Sequence, residues 1–255
     1  MWNDWVTIKE QIELAPGIYR MELFAPELVA QAKPGQFVNL YCRDKSRLLP
    51  RPISICEIDK ENKSLRLVYR AAGAGTAEFS GYGAGETLRL IGPLGNGFPL
   101  DKGYKKVFLI GGGIGVPPMV ELSKQLPGEK IVVSGYRGGD LFLKDELSRH
   151  AKLVVATEDG SAGTKGNVLD AIKENGLTAD AIFACGSGPM LRALKAYAEE
   201  QGIDCYLSLE ERMACGIGAC LACVCKSKDV DAHTNVKNKR ICKDGPVFAA
   251  DEIEL

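Results

Sequence analysis

Apolar and polar positions alternate in short runs through the first hundred residues. The runs are Gly17 to Phe24, Gln36 to Cys42, Ile53 to Ile58, Leu65 to Tyr69 and Glu86 to Ile91, with Gly and Pro close by. Runs of this length and spacing predict an antiparallel sheet or barrel. Trp2 and Trp5 are expected to pack in a first strand. From about residue 104 the pattern changes. Lys106 to Ile110 reads as an apolar strand with glycines directly after it, and 130–135, 153–157 and 181–185 are further strands. Helix-like stretches fill 118–126, 167–175 and 190–201. Strands alternating with helices predict a parallel, doubly wound sheet. From about 211 to 255 the chain is rich in Cys, Gly and Lys and shows little apolar periodicity. The expected fold is therefore a β barrel over 1–102, an α/β domain over 103–210 and a small cysteine-bearing segment over 211–255.

Charge and composition narrow the function. With 32 Lys and Arg against 33 Asp and Glu, the net charge is −1. That argues against a general nucleic-acid binder, which needs a basic surface to displace counterions. No basic stretch followed by an apolar one opens the chain. The best apolar window, Val107 to Val120, is broken by glycines and prolines, so no membrane span is expected. A soluble, cytoplasmic protein is the expectation. There are nine cysteines among 255 residues. Cys215, Cys220, Cys223, Cys225 and Cys242 crowd into 28 of them. In a reducing compartment such a cluster points to a metal or redox site rather than to disulfides.

Spacing sharpens that site. Four residues separate Cys215 from Cys220, two separate Cys220 from Cys223, and eighteen lie between Cys223 and Cys242. This is the plant-type ligand pattern of a 2Fe–2S cluster. Gly216, Gly218, Ala219 and Ala222 fall between the ligands, and small residues let backbone N–H groups approach cluster sulfurs. A structural zinc site is the competing reading, although zinc ribbons usually pair two short knuckles. Cys225 reads as a spare thiol, with Cys242 as the fourth ligand.

Four more motifs accompany it. Gly111 to Pro118 follows the apolar strand and opens a helix at Pro118, where glycines such as Gly112, Gly113 and Gly115 let a diphosphate approach the backbone. Arg51-Pro52-Ile53-Ser54 starts a barrel strand and offers a guanidinium for a diphosphate and a hydroxyl for a flavin edge. Val68-Tyr69-Arg70 with Gly73 to Thr76 is a second strand–helix cradle. Cys185-Gly186-Ser187-Gly188-Pro189-Met190 follows a strand at the sheet edge where doubly wound folds bind ligands. His150 and His233 are expected at the surface, and Cys42, Cys56 and Cys205 carry no argued role.

Together these motifs resemble the ferredoxin–NADP reductase superfamily, in which a flavin barrel precedes a pyridine-nucleotide domain. The segment Glu210 to Cys225, with Ile241 to Phe248, is similar to the electron-transfer subunits of NAD-dependent (type B) dihydroorotate dehydrogenases. The resemblance implies FAD on Arg51, Pro52, Ile53, Ser54, Val68, Tyr69, Arg70, Gly75 and Thr76. It implies NAD at Gly112, Gly113, Gly115, Cys185 and Gly186, and a 2Fe–2S cluster on Cys215, Cys220, Cys223 and Cys242. Many superfamily members carry Tyr where this chain has Ile53.

The resemblance also implies a role in pyrimidine biosynthesis. An FMN-containing catalytic partner would oxidise dihydroorotate, in a heterotetramer of two subunits of each kind, with electrons leaving through the cluster and FAD to NAD+. A substrate barrel alone needs about 250 residues, so this chain has no room for that chemistry. No catalytic side chain is assigned here. The alternatives are the small flavin subunit of a ferredoxin-dependent transhydrogenase, sulfide dehydrogenase or sulfhydrogenase, and a zinc-stabilised nucleotide sensor. NAD against NADP stays open between Arg137 and Asp140.

Overall fold

The computed structural model describes residues 2–232 and 235–255. His233 lies outside the described residues, and His150 is exposed as expected. Strands β1 (Trp2–Ala15), β2 (Ile18–Phe24), β3 (Phe37–Leu40), β4 (Arg51–Asp59), β5 (Ser64–Arg70) and β6 (Thr87–Leu94) close into an antiparallel barrel. Its order is β1-β2-β5-β4-β3-β6, and closure leaves no free edge. Alternation decides which side chains fill it: Val6 and Ile8 of β1 point inward with Leu65 and Leu67 of β5. Two short helices, α1 (Pro26–Val29) and α2 (Ala74–Ser80), add Leu28, Val29 and Phe79 to this core.

The same alternation corrects one expectation. Trp2 shares the inward parity of Val6 and is partly buried against the barrel core. Trp5 has the opposite parity and stands on the outer face, 58% exposed.

The second unit is built on β7 (Lys106–Gly112), β8 (Glu129–Tyr136), β9 (Lys152–Thr157), β10 (Thr164–Lys165), β11 (Ala181–Cys185) and β12 (Asp204–Ser208). All six are parallel. Both faces are covered, which is why β7 is apolar from Val107 onward. Val107 and Leu109 pack toward α3 (Pro118–Gln125) and α4 (Lys144–Ser148). Phe108 and Ile110 pack toward α5 (Val168–Glu174) and α6 (Gly188–Gln201).

The cysteine-rich tail forms a hairpin of β13 (Val224–Lys226) and β14 (Asn238–Arg240), then β15 (Val247–Ala249). β15 joins the large sheet antiparallel to β12, so the sheet is mixed rather than wholly parallel. Three residues leave too little periodicity for such a strand to be read from sequence. Barrel and sheet are also fastened together. Glu121 of α3 is 1% exposed and accepts the Ile58 N–H at 2.7 Å, while Lys124 Nζ donates to the Ile58 carbonyl at 3.1 Å. A buried carboxylate is tolerable only with such partners. Among the described residues no helix is long and apolar enough to cross a membrane.

Candidate functional site

The large sheet reads β10-β9-β8-β7-β11-β12-β15, so the chain reverses direction across the sheet between β7 and β11. Ligands of open α/β sheets bind at such a switch point, beyond the carboxyl ends of the strands. Two glycine segments meet there. Gly113 has φ +55° in a 3-10 turn (Gly113–Gly115), a backbone state that favours glycine. A Cβ on Gly115 would overlap the Cys185 carbonyl, and one on Gly112 would lie 2.6 Å from Met190 Sδ. At Gly115 glycine is therefore required for the turn after β7 to close against the end of β11. Beyond them opens a cleft of about 800 Å³ lined by Gly112, Gly113, Gly115, Gly186 and Met190, among others. Arg137, Asp140 and Glu158 stand along the same cleft.

Cys185 sits at this junction but does not line the cleft. It is 1% exposed, and burial pushes its thiol well up, so it keeps its proton at neutral pH. Ser208 of β12 lies opposite it in the strand register.

A second cleft of about 290 Å³ opens on the barrel side. Pro52, Ile53, Ser54, Val68, Tyr69 and Arg70 all line it. Tyr69 is held by packing and one hydrogen bond: its ring stacks on Tyr19 with centroids 5.9 Å apart, and its hydroxyl donates to Gln11 Oε1 at 3.0 Å. Gln11 is itself fixed by donating to the Phe79 and Tyr82 carbonyls, each at 2.8 Å. Arg51, Gly75 and Thr76 form a separate group at the start of α2. A Cβ on Gly75 would lie 2.7 Å from Arg51 Cζ, so only glycine admits the guanidinium there. Thr76 Oγ1 accepts the Ala72 and Gly73 N–H groups at 3.0 and 3.2 Å and closes the first turn of the helix.

Sequence reasoning missed the far walls of this cleft. Phe37, Ile114, Ser208, Leu209, Glu210, Glu211, Met213 and Pro246 come from four other places in the chain. Arg70, Ile114 and Glu210 line both clefts, which makes the two spaces contiguous. Glu210 keeps exposed surface at the cleft, while burial of its carboxyl raises its pKa above the ordinary value.

The cysteine loop lies next to the barrel cleft. Its thiols come in two contacting pairs, Cys215 with Cys220 and Cys223 with Cys242. Cys215 Sγ accepts the N–H groups of Ile217 and Ala219 at 3.4 and 3.3 Å. Cys242 Sγ accepts that of Gly218 at 3.1 Å, and Cys223 Sγ that of Cys242 at 3.4 Å. Gly216 and Gly218 have φ +69° and +86°, which turns these N–H groups inward. Burial opposes the Cys215 thiolate, but the donated hydrogen bonds outweigh it and lower the thiol to about 7. The hydrogen bond from Cys242 lowers Cys223 to about 6 and raises Cys242 in turn. One acidified thiol in each pair, Cys215 and Cys223, with N–H donors around the sulfurs, suits a dinuclear cluster in which each iron takes two thiolates. Cys225 is half-buried and turned aside, its Sγ 3.6 Å from the Lys239 carbonyl. Cys220 is exposed, whereas Cys223 and Cys242 are buried.

Comparison with known proteins agrees with this geometry. Residues 210–254 match the family described as the iron-sulfur cluster binding domain of dihydroorotate dehydrogenase B. The electron transfer subunit of dihydroorotate dehydrogenase B (NAD(+)) from Listeria monocytogenes serotype 4a (strain HCC23) is 44% identical over 252 residues, 96% of each chain. A solved structure of an NADH-dependent reduced ferredoxin-NADP oxidoreductase superposes with a TM-score of 0.87 at 27% identity, covering 98% of this chain and 89% of that one. A ferredoxin NADP+ reductase from Neisseria gonorrhoeae with bound FAD and NADP shares the fold at a TM-score of 0.66 and 17% identity, over 82% of this chain and 94% of that one. With a barrel, a switch-point cleft and a paired-cysteine loop in this order, and with that identity from end to end, the chain belongs to the family of electron transfer subunits of dihydroorotate dehydrogenase B (NAD+).

Proposed function

We propose that this chain carries electrons from a catalytic partner to NAD+ through two cofactors held side by side. The observation that carries this reading is the contiguity of the two clefts at Arg70, Ile114 and Glu210, with Met213 of the barrel cleft only two residues from Cys215. Residues 1–102 would form the FAD unit, 103–210 the NAD unit and 211–255 the cluster unit, with β15 tying the last to the second. Pro52, Ile53, Ser54, Val68, Tyr69 and Arg70 would hold the FAD ring and its neighbourhood, with Arg51, Gly75 and Thr76 at the diphosphate. Gly112, Gly113, Gly115 and Gly186 would let NAD lie against the switch point, and Cys185 would support that wall from behind. Cys215, Cys220, Cys223 and Cys242 would ligate the 2Fe–2S cluster.

When bound, a cluster passes single electrons and a flavin exchanges single electrons for a hydride, which joins one-electron to two-electron chemistry. The chain's own part is positional. The barrel shapes one cleft, the sheet the other, and the Ile58–Glu121 contact keeps them in register. Ile53 replaces ring stacking with an aliphatic surface at its position.

The partner would be an FMN-containing subunit that oxidises dihydroorotate, assembled two and two, and nine free thiols suit the cytosol. The purified chain is expected to oxidise NADH with an artificial acceptor and to form no orotate. Orotate production by this chain alone would overturn the division of labour. The likeness to the NADH-dependent ferredoxin-NADP oxidoreductase favours a second reading, a transhydrogenase subunit. A strong preference for NADPH over NADH would bring that reading forward.

A further inference from the structure

Asn39 of β3 is fully buried and polar. It stands opposite Pro52 in the barrel register, and both Pro52 and Phe37, two residues earlier on the same face, line the barrel cleft. Its Nδ2 donates to the Cys215 carbonyl at 3.2 Å. Its amide also lies against Gly216, where any Cβ would overlap it. Its Oδ1 meets no donor among the described residues.

A buried acceptor without a partner costs about 1–3 kcal/mol. An aliphatic side chain of similar size would fill the place without that cost. The amide does one thing the aliphatic side chain would not: it pins the Cys215 peptide to the strand that borders the flavin cleft. The loop therefore meets this cleft twice. One link is covalent, from Met213 through Ala214 to Cys215. The other is the hydrogen bond from Asn39. By contrast, Cys220 faces solvent, and Cys223 and Cys242 are buried in the core of the large sheet.

We propose that Asn39 is a positioning residue for electron transfer between the cysteine-loop cluster and the flavin cleft, and that the exchange takes place on the Cys215 side of the cluster. This rests on the cofactor placement proposed above. With NADH as donor, hydride brings two electrons to the flavin. One then reduces the cluster from two ferric ions to one ferric and one ferrous, and the other stays on the flavin.

Stopped-flow absorbance of the holoprotein mixed with NADH resolves flavin bleaching from cluster bleaching. In Asn39→Ala the cluster phase should slow about tenfold or more, because small misplacements of reacting groups carry rate losses of that order, while the flavin phase keeps its rate. Asn39→Leu conserves size, buries no charge and leaves no unpaired polar atom at position 39, so it guards against a folding defect. It donates no hydrogen bond, so the cluster phase should slow as in Asn39→Ala, and loss of the N–H dipole aimed at the Cys215 peptide should lower the cluster midpoint potential in an EPR-monitored titration. If Asn39→Ala assembles no cluster, Asn39→Leu decides. Wild-type cluster phases and potential in variants that carry both cofactors would overturn the proposal. Absence of flavin or 2Fe–2S absorption in the wild-type protein would overturn the cofactor placement instead, before any mixing.

Discussion

The switch-point cleft and the cysteine loop are arranged to hold ligands by opposite means. The cleft is made of backbone on a packed sheet. Its glycines act by what they lack, since a side chain at Gly115 would overlap the Cys185 carbonyl at the end of β11. The loop is made of side chains on irregular backbone, with neither helix nor strand between Leu209 and Cys223. Its shape is kept by N–H groups donated to sulfur and by left-handed turns at Gly216 and Gly218. The difference teaches where each site's stability originates. Core packing builds the cleft whether or not a nucleotide is bound. The loop needs its metal, because ligation is a large part of the folding free energy of such small thiolate sites.

Removing one ligand tests this contrast most severely. Cys223→Ser should abolish the visible absorption of the cluster and electron delivery from the partner. NADH oxidation with an artificial acceptor should survive, since most of the lining of both clefts comes from the barrel and the parallel strands with their loops. Loss of that reaction too would break the comparison. Gly115→Val probes the other side. Overpacking costs about 1–3 kcal/mol, so the KM for NADH should rise about tenfold while cluster absorption is unchanged. Cys225→Ser should do least, leaving absorption and rates as in the wild type. Loss of the cluster there would move the fourth ligand from Cys242 to Cys225.

How much was legible in the sequence followed the range of the interactions. Alternation and apolar runs are local, so five of the six barrel strands and the main parallel strands could be read directly. The four-cysteine pattern was legible because its spacing is itself the constraint. β12 and β15 were missed, the latter because three residues carry no period. Trp5 was misread because an aromatic residue in a strand suggests packing, whereas parity in β1 turns it outward. The far walls of the barrel cleft were hidden for a different reason. Ser208, Glu210 and Met213 reach it only after more than a hundred residues of intervening chain.

By itself the sequence determined the order of barrel, sheet and cysteine segment, the glycine loops and the spacing of four thiols. These depend on contacts between residues close in the chain. Only the tertiary structure decided that the two clefts share Arg70, Ile114 and Glu210, that the thiols fall into two pairs, and that Asn39 reaches the Cys215 carbonyl. Asn39 and Cys215 are 176 positions apart. Barrel closure, the Ile58–Glu121 contact and the return of β15 to the sheet bring such distant segments together, and no local pattern along the chain encodes a meeting of that kind.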